Sequence, residues 1–186
     1  MHRTSLLNLL HRYASSNLLT TEEQPMLEQI ITFVKSTPDC FKREHLAGHI
    51  TASALVINEA STAAILMHHK KLNIWVQPGG HADGDTNVLG VALKEAFEET
   101  GLEVIYPLSQ DIFDIDIHWI PEGKVPGHWH YDIRFILQTA ENETISSNDE
   151  SLEVIWATPT EFTQKTQQRS VLRLIEKWQT FSSTGF

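Results

Sequence analysis

Residues 1–45 carry apolar positions at helical spacing. Over residues 4–13, Leu6, Leu7, Leu9, Leu10 and Tyr13 fall mostly on one stripe. A second helix is predicted downstream, capped by Thr20 or Thr21, with Glu22, Glu23 and Pro25 in its first turn. Its apolar face is Met26, Leu27, Ile30, Ile31 and Val34, and "STPDC" (36–40) ends it. The two helices read as an N-terminal extension on a main domain spanning residues 46–186. From residue 49 the period shortens to two. "HITASALVIN" (49–58) and "TAAILMHH" (62–69) predict a strand hairpin, and "NIWVQ" (73–77) predicts a short strand stopped by Pro78, Gly79 and Gly80. The turn-rich loop "HADGDTN" leads into a helix from Val88 to Thr100, with Asn87 as N-cap and Gly101 just past its end. Further strands are predicted at 103–108, 111–120, 128–140 and 152–158. "PTEFTQK" opens a C-terminal helical region whose stripe is Val171, Leu172, Leu174, Ile175 and Trp178. This order predicts an α/β fold, a mixed sheet flanked by helices.

Composition narrows the function. The chain has 186 residues, of which 41% are hydrophobic, enough for a real core. Its mean hydropathy is −0.22. A formal net charge of −10 argues against a nucleic-acid polymer as partner, because phosphate neutralisation needs clustered Lys and Arg. It suits a protein that holds cations. The single cysteine, Cys40, excludes an intramolecular disulfide and a thiolate zinc site, and points to a reducing compartment. Asn8, His11 and Arg12 interrupt the N-terminal leucines, so no signal segment is expected, and no stretch approaches a membrane span. A cytoplasmic setting is the expectation.

The predicted helix at 88–100 contains "KEAFEET" (94–100). With Leu89, Ala92, Leu93, Ala96 and Phe97 facing the sheet, Glu95, Glu98 and Glu99 share the exposed side within one turn. Like charges at that spacing repel by about 0.2–0.5 kcal/mol per pair. Carboxylates so placed can chelate a hard divalent cation such as Mg²⁺, which borrows its remaining ligands from water and substrate phosphates.

Residues 80–102 resemble the Nudix hydrolase box, G-x5-E-x7-R-E-U-x-E-E-x-G-U with U aliphatic. Gly80 opens it, and Glu95, Glu98, Glu99, Gly101 and Leu102 match in register. "WVQPGG" (75–80) is similar to the family's strand and turn before the box. Two positions depart: Thr86 stands for the first Glu, beside Asp85, and Lys94 stands for Arg. Lysine keeps the charge but lacks the planar fork. The orientation of the glutamates is therefore expected to depend on another partner, on the Asp/His face of the strands at 111–120 and 128–140. "GHITASALVIN", "HHKKLNIWVQPGGHADGDT" and "HWHYDIRFIL" resemble a bacterial Nudix subgroup. The resemblance implies the Nudix α/β/α sandwich and hydrolysis of a diphosphate linkage in a nucleoside diphosphate derivative or similar small phosphorylated substrate, with Mg²⁺ or Mn²⁺. It implies Glu98 and Glu99 as metal ligands, Glu95 as ligand or base, and the Gly80 carbonyl as a further ligand. Glu95, Glu99 and Glu150 are the candidate catalytic carboxylates. Glu150 lies just before a strand ending in Trp156, where related proteins supply an extra acid.

Two alternatives stand beside hydrolysis. Isopentenyl diphosphate isomerases share the fold and a Gly-His pair, which "GGH" (79–81) with His128 and His130 resembles, but Gly79 stands where their cysteine would be. A non-catalytic ligand-binding module is the other, motivated by Thr86 and Lys94.

A second polar constellation lies on two later strands. Asp114, Asp116 and His118 alternate along one, and His128, His130, Asp132 and Arg134 along the next. Antiparallel pairing would gather all seven on one sheet face, with Phe113, Ile115, Ile117, Trp119, Trp129, Tyr131, Ile133 and Phe135 opposite. A solvent-facing sheet surface favours Lys, Glu, Thr and Ser instead. His-x-His on a strand can share one metal, with Asp as ligand or orienter. These residues, with His81 from the loop, form a candidate second metal or phosphate site in which Arg134 would fork a phosphate or pair with Asp132. His45 and His49 are spaced i,i+4, but Gly48 argues against a helix there, so no metal pair is expected from them.

Overall fold

The computed structural model describes residues 2–140 and 144–183. Its helices are α1 (Thr4–Ala14), α2 (Gln24–Ser36), α3 (Val88–Thr100), α4 (Pro159–Lys165) and α5 (Arg169–Ser183). Its strands are β1 (Gly48–Ile57), β2 (Ala64–His69), β3 (Ile74–Val76), β4 (Gly79–His81), β5 (Ile105–Pro107), β6 (Asp114–Ile120), β7 (His128–Thr139) and β8 (Ser151–Ala157). The chain packs as two compact units. Met1–Ser53, Gly80–Ala92 and Ser109–Phe135 form one, and Ala54–Gly79, Leu93–Leu108 and Ile136–Phe186 the other.

In the first unit, α1 and α2 pack together and α2 lies against β6. Leu6, Leu10, Leu27, Ile30 and Val34 are buried, the stripes that the periodicity predicts. β6 and β7 pair antiparallel, with Asp114 opposite Arg134, Asp116 opposite Asp132 and His118 opposite His130. β1 neighbours β7. Trp129 N–H donates to Ala47, and Thr51 and Ser53 donate to Asp132, so positions on the two strands advance together and the pair runs parallel. The sheet is therefore mixed.

The start of α2 differs from the sequence reading. Glu23 is the N-cap residue and its side chain is turned inward, fully buried. Its carboxylate accepts from Tyr13 Oη at 2.5 Å, Thr20 N at 3.0 Å, Thr20 Oγ1 at 2.7 Å and Ile115 N at 3.2 Å. Thr20 thus serves the glutamate instead of capping the helix. A buried carboxylate needs several donors, and this one draws them from α1, the connecting turn and β6.

In the second unit the strand order is β3-β2-β1-β7-β5, with β8 also paired to β2. β8 runs antiparallel to β2, Ile65 opposite Trp156 and Met67 opposite Val154. α4 opens with a capping box: Thr158 Oγ1 accepts from Glu161 N while the Glu161 carboxylate takes Thr158 N–H at 2.7 Å. α4 packs on β8 and α5, and α5 buries Val171, Leu174, Ile175 and Trp178. No helix among the described residues is long and apolar enough to cross a membrane.

Two elements depart further from expectation. Gly79–His81, read as the start of a loop, forms the short strand β4 on β1, with Ala82 N–H donating to Ile50 at 3.2 Å. Glycines advertise a turn, but here they give an extended backbone that pairs through its own groups. α3 has its expected ends, with Gly90 N–H on Asn87 Oδ1 and Gly101 at φ +66°. Its buried face is turned, however. Val88, Val91, Ala92, Ala96, Glu99 and Thr100 are buried, while Phe97 is exposed.

Replacing Glu23 by Ala strands buried donors from three segments, and should lower stability by about 2–3 kcal/mol in urea unfolding. Glu23→Gln keeps an acceptor oxygen and should lose less.

Candidate functional site

The three glutamates of α3 occupy different environments. Glu98 is exposed, Glu95 is half-buried, and Glu99 is 5% exposed. This corrects the expectation that all three share a solvent-facing side. Glu99 is fixed by the chain's backbone: Gly79 N–H donates to its Oε2 at 2.8 Å. That backbone amide orients Glu99, a correction to the expectation that the partner would come from the Asp/His strand face, whose aspartates engage Arg134. Lys94 Nζ sits 3.4 Å from Glu95 Oε1 and 3.3 Å from Glu98 Oε2, bridging the other two.

Burial pushes the Glu99 carboxyl up to about 8, against the pull of the Gly79 amide, and the charges of Glu95, Glu150 and Glu98 add to the rise. Burial likewise raises Glu95, offset by Lys94. Glu150 therefore stands close enough to act on both. Its loop is tied to the helix: Ser146 N–H donates to Thr100 O at 2.7 Å, and Asn148 Nδ2 donates to Glu98 O at 3.2 Å. Asn148 Oδ1 in turn accepts Glu150 N–H at 2.9 Å, and Lys70 N–H takes the Glu150 carbonyl. Gly101 is needed at this junction for its positive φ and because a Cβ there would lie 2.0 Å from Ser146 Oγ. Asp85, beside Thr86, accepts Asn87 N–H at 2.8 Å ahead of α3.

The second constellation lies in the first unit and is mostly buried. Asp114, Asp116, His128, Asp132 and Arg134 are all under 9% exposed, while Trp119 and Trp129, on the face read as apolar, are 50% and 42% exposed. Arg134 is the hub. Its Nε donates to Asp132 Oδ2 at 2.8 Å, and its two terminal nitrogens reach Asp114 Oδ1 at 3.2 Å and Asp116 Oδ2 at 3.3 Å. Thr51 and Ser53 complete Asp132 at 2.9 and 2.7 Å. The guanidinium is thus engaged by carboxylates on both strands, including the Asp132 partner that the sequence suggested. His118 Nδ1 lies 3.0 Å from Asp116 Oδ2 at the rim.

Beyond Asp132, four imidazoles converge. His49, His81, His128 and His130 each offer a ring nitrogen, all within 4.8 Å of one another. Burial first, then the neighbouring positive groups, brings His81 down to about 4 and His130 to about 2. His49 is lowered mainly by burial. His49, which its i,i+4 spacing to His45 does not mark as a ligand, belongs to this cluster. Its true signal is alternation: His49, Thr51 and Ser53 occupy the same phase on β1 and bring a third strand to the polar face. Gly48 permits the approach, since a Cβ there would meet Trp129 O at 2.6 Å.

Residues 48–178 match the model of the NUDIX domain. The chain belongs to the Nudix family. No curated protein matches the sequence. Among solved structures it is similar to the C. elegans Ap4A hydrolase binary complex, with 15% identity, 73% of this chain and 98% of that one covered, and a TM-score of 0.60. The NUDIX domain of Shewanella oneidensis NrtR complexed with ADP ribose is similar over 81% of this chain and 97% of that one, at 16% identity and TM-score 0.54. A NUDIX-family hydrolase from Clostridium perfringens matches over 72% and 97%, at 21% identity and TM-score 0.53. At these identities the likeness speaks for the fold.

Glu99 carries a pH prediction. Its folded pKa lies above the unfolded value, so its stabilising neutral form is fully present below about 4.5 and is lost as pH rises through about 8. Metal-free protein should therefore lose stability across that window. Glu99→Gln should flatten the loss when unfolding is followed by denaturant at several pH values.

Proposed function

We propose that this chain is a divalent-cation-dependent pyrophosphohydrolase cleaving the diphosphate linkage of a nucleoside diphosphate derivative or similar small phosphorylated molecule. The observation that carries it is Glu99, a buried carboxylate held by the Gly79 amide and destabilised in its charged form by burial and by the charges of Glu95 and Glu150. An all-oxygen donor set with excess negative charge fits a hard cation, Mg²⁺ or Mn²⁺. Glu95, Glu98 and Glu99 would hold it. Bound there, it supplies polarisation of phosphoryl oxygens and a water of lowered pKa.

The chain's own groups divide the remaining work. The Gly79 amide aims Glu99, and Lys94 spans Glu95 and Glu98, limiting their repulsion in the absence of substrate. Glu150, exposed and carried on a loop tied to the helix, would be the group that accepts a proton. The nucleotide character of the substrate is supported by two of the similar folds, an Ap4A hydrolase and a domain complexed with ADP ribose. In this reading residues 1–45 form an extension on a Nudix domain of 46–186, in the cytoplasm.

The test is turnover of a panel including ADP-ribose and Ap4A with Mg²⁺ or Mn²⁺, with phosphate-containing products identified. Glu98→Gln and Glu99→Gln should each lower kcat by about 10²–10⁴-fold. Ligand binding without products on any member would favour a binding module. Conversion of isopentenyl diphosphate without phosphate release would favour isomerisation.

A further inference from the structure

Outside the glutamate site, the most unusual grouping in the molecule is the set of four histidines. His49 comes from β1, His81 from the end of β4, and His128 and His130 from β7. The His49 ring centroid lies 5.0, 4.9 and 4.9 Å from those of His81, His128 and His130. The His130 centroid lies 5.0 Å from both His81 and His128. Four imidazoles packed this closely have little to offer one another by hydrophobic contact, and each brings a ring nitrogen to the centre.

The orientation of those nitrogens is informative. His128 Nδ1 lies 2.8 Å from the carbonyl oxygen of Pro126, which only accepts, so Nδ1 carries the proton and Nε2 keeps its lone pair. His49 points Nδ1 toward the His45 carbonyl at 3.5 Å, again leaving Nε2 for the interior. That Nε2 is buried without a hydrogen-bond partner among the described residues. A buried polar atom is normally paired, so one left over points to a missing partner. His128 Nε2 and His130 Nε2 face each other at 3.2 Å. Around a tetrahedral cation with bonds of about 2.0–2.1 Å, ligand nitrogens stand about 3.3–3.4 Å apart. Nδ1 held by a carbonyl with Nε2 inward is also how chains orient metal-bound imidazoles.

We propose that His49, His81, His128 and His130 form a tetrahedral site for a first-row transition cation, zinc foremost, whose ligands do not include the carboxylates of α3. Imidazole nitrogen selects zinc over Mg²⁺ or Mn²⁺, which prefer oxygen. Four protein ligands leave no open position, so the cation fastens β1, β4 and β7 together and takes no part in hydrolysis. A phosphate is disfavoured here, since Arg134 is already engaged by three carboxylates.

The experiment uses the full chain with any affinity tag removed. Elemental analysis after dialysis should find about one zinc per chain. Chelator-stripped protein titrated with Co²⁺ should develop the intense visible bands of tetrahedral cobalt. His128→Ala with His130→Ala should abolish both. Because that variant can fail to fold, His81→Asn, at a half-exposed ligand, is the second probe and should weaken zinc binding at least about 10-fold. Glu98→Gln should retain zinc while losing turnover, which separates this site from the hydrolytic one. Wild-type protein without stoichiometric zinc and with only weak octahedral cobalt bands would overturn the proposal. So would unchanged zinc affinity in His81→Asn, or loss of zinc in Glu98→Gln.

Discussion

A guanidinium removed from water must be met by carboxylates, and Arg134 is the point on which the first unit's sheet is organised. It is 2% exposed and engages Asp114 and Asp116 on β6 and Asp132 on β7. Removing one partner of such a network leaves a buried charge uncompensated, typically at about 3–5 kcal/mol. A one-residue slip between β6 and β7 would turn the aspartates away from the arginine, so the ion network and the hairpin register enforce each other. Thr51 and Ser53 extend the same condition to β1 through Asp132. The histidine cluster lies along the same strands and takes its alignment from them.

Strong local periodicity was readable without coordinates. The stripes of α1, α2 and α5 and the phase of β6 and β7 are where the sequence places them, because each depends on spacing alone. The alternation that gathered Asp114, Asp116 and His118 against His128, His130, Asp132 and Arg134 is observed as direct cross-strand pairing. Features set by distant backbone groups were hidden. The spacing of α3 allows two rotations of its buried face. The structure buries Glu99 instead of Phe97, because the Gly79 amide offers the carboxylate a partner. Glu23 hides in the same way, drawn from its helix by Tyr13, Thr20 and Ile115.

The substitution of lysine at position 94 acquires a clear meaning from this geometry. A planar fork could bind a carboxylate bidentately, whereas an exposed ammonium between Glu95 and Glu98 acts as a mobile counter-charge. The fixed element is then the peptide amide of Gly79, which among substitutions at that position only proline would delete. Backbone anchoring of Glu99 makes the site tolerant at position 94 and intolerant of any shift in β4.

The docking of residues 146–150 on the end of α3 has a consequence for how this architecture can diversify. Ser146 and Asn148 bind carbonyls that the helix terminus leaves open, at Thr100 and Glu98. Glu150 therefore takes its position from the helix and from Lys70, the residue just after β2, not from the length of chain that precedes it. Insertions ahead of Ser146 can lengthen the connection from β7 without moving the acid. The segment behaves as a splint, leaving the approach to the glutamates open to remodelling while the carboxylates keep their places.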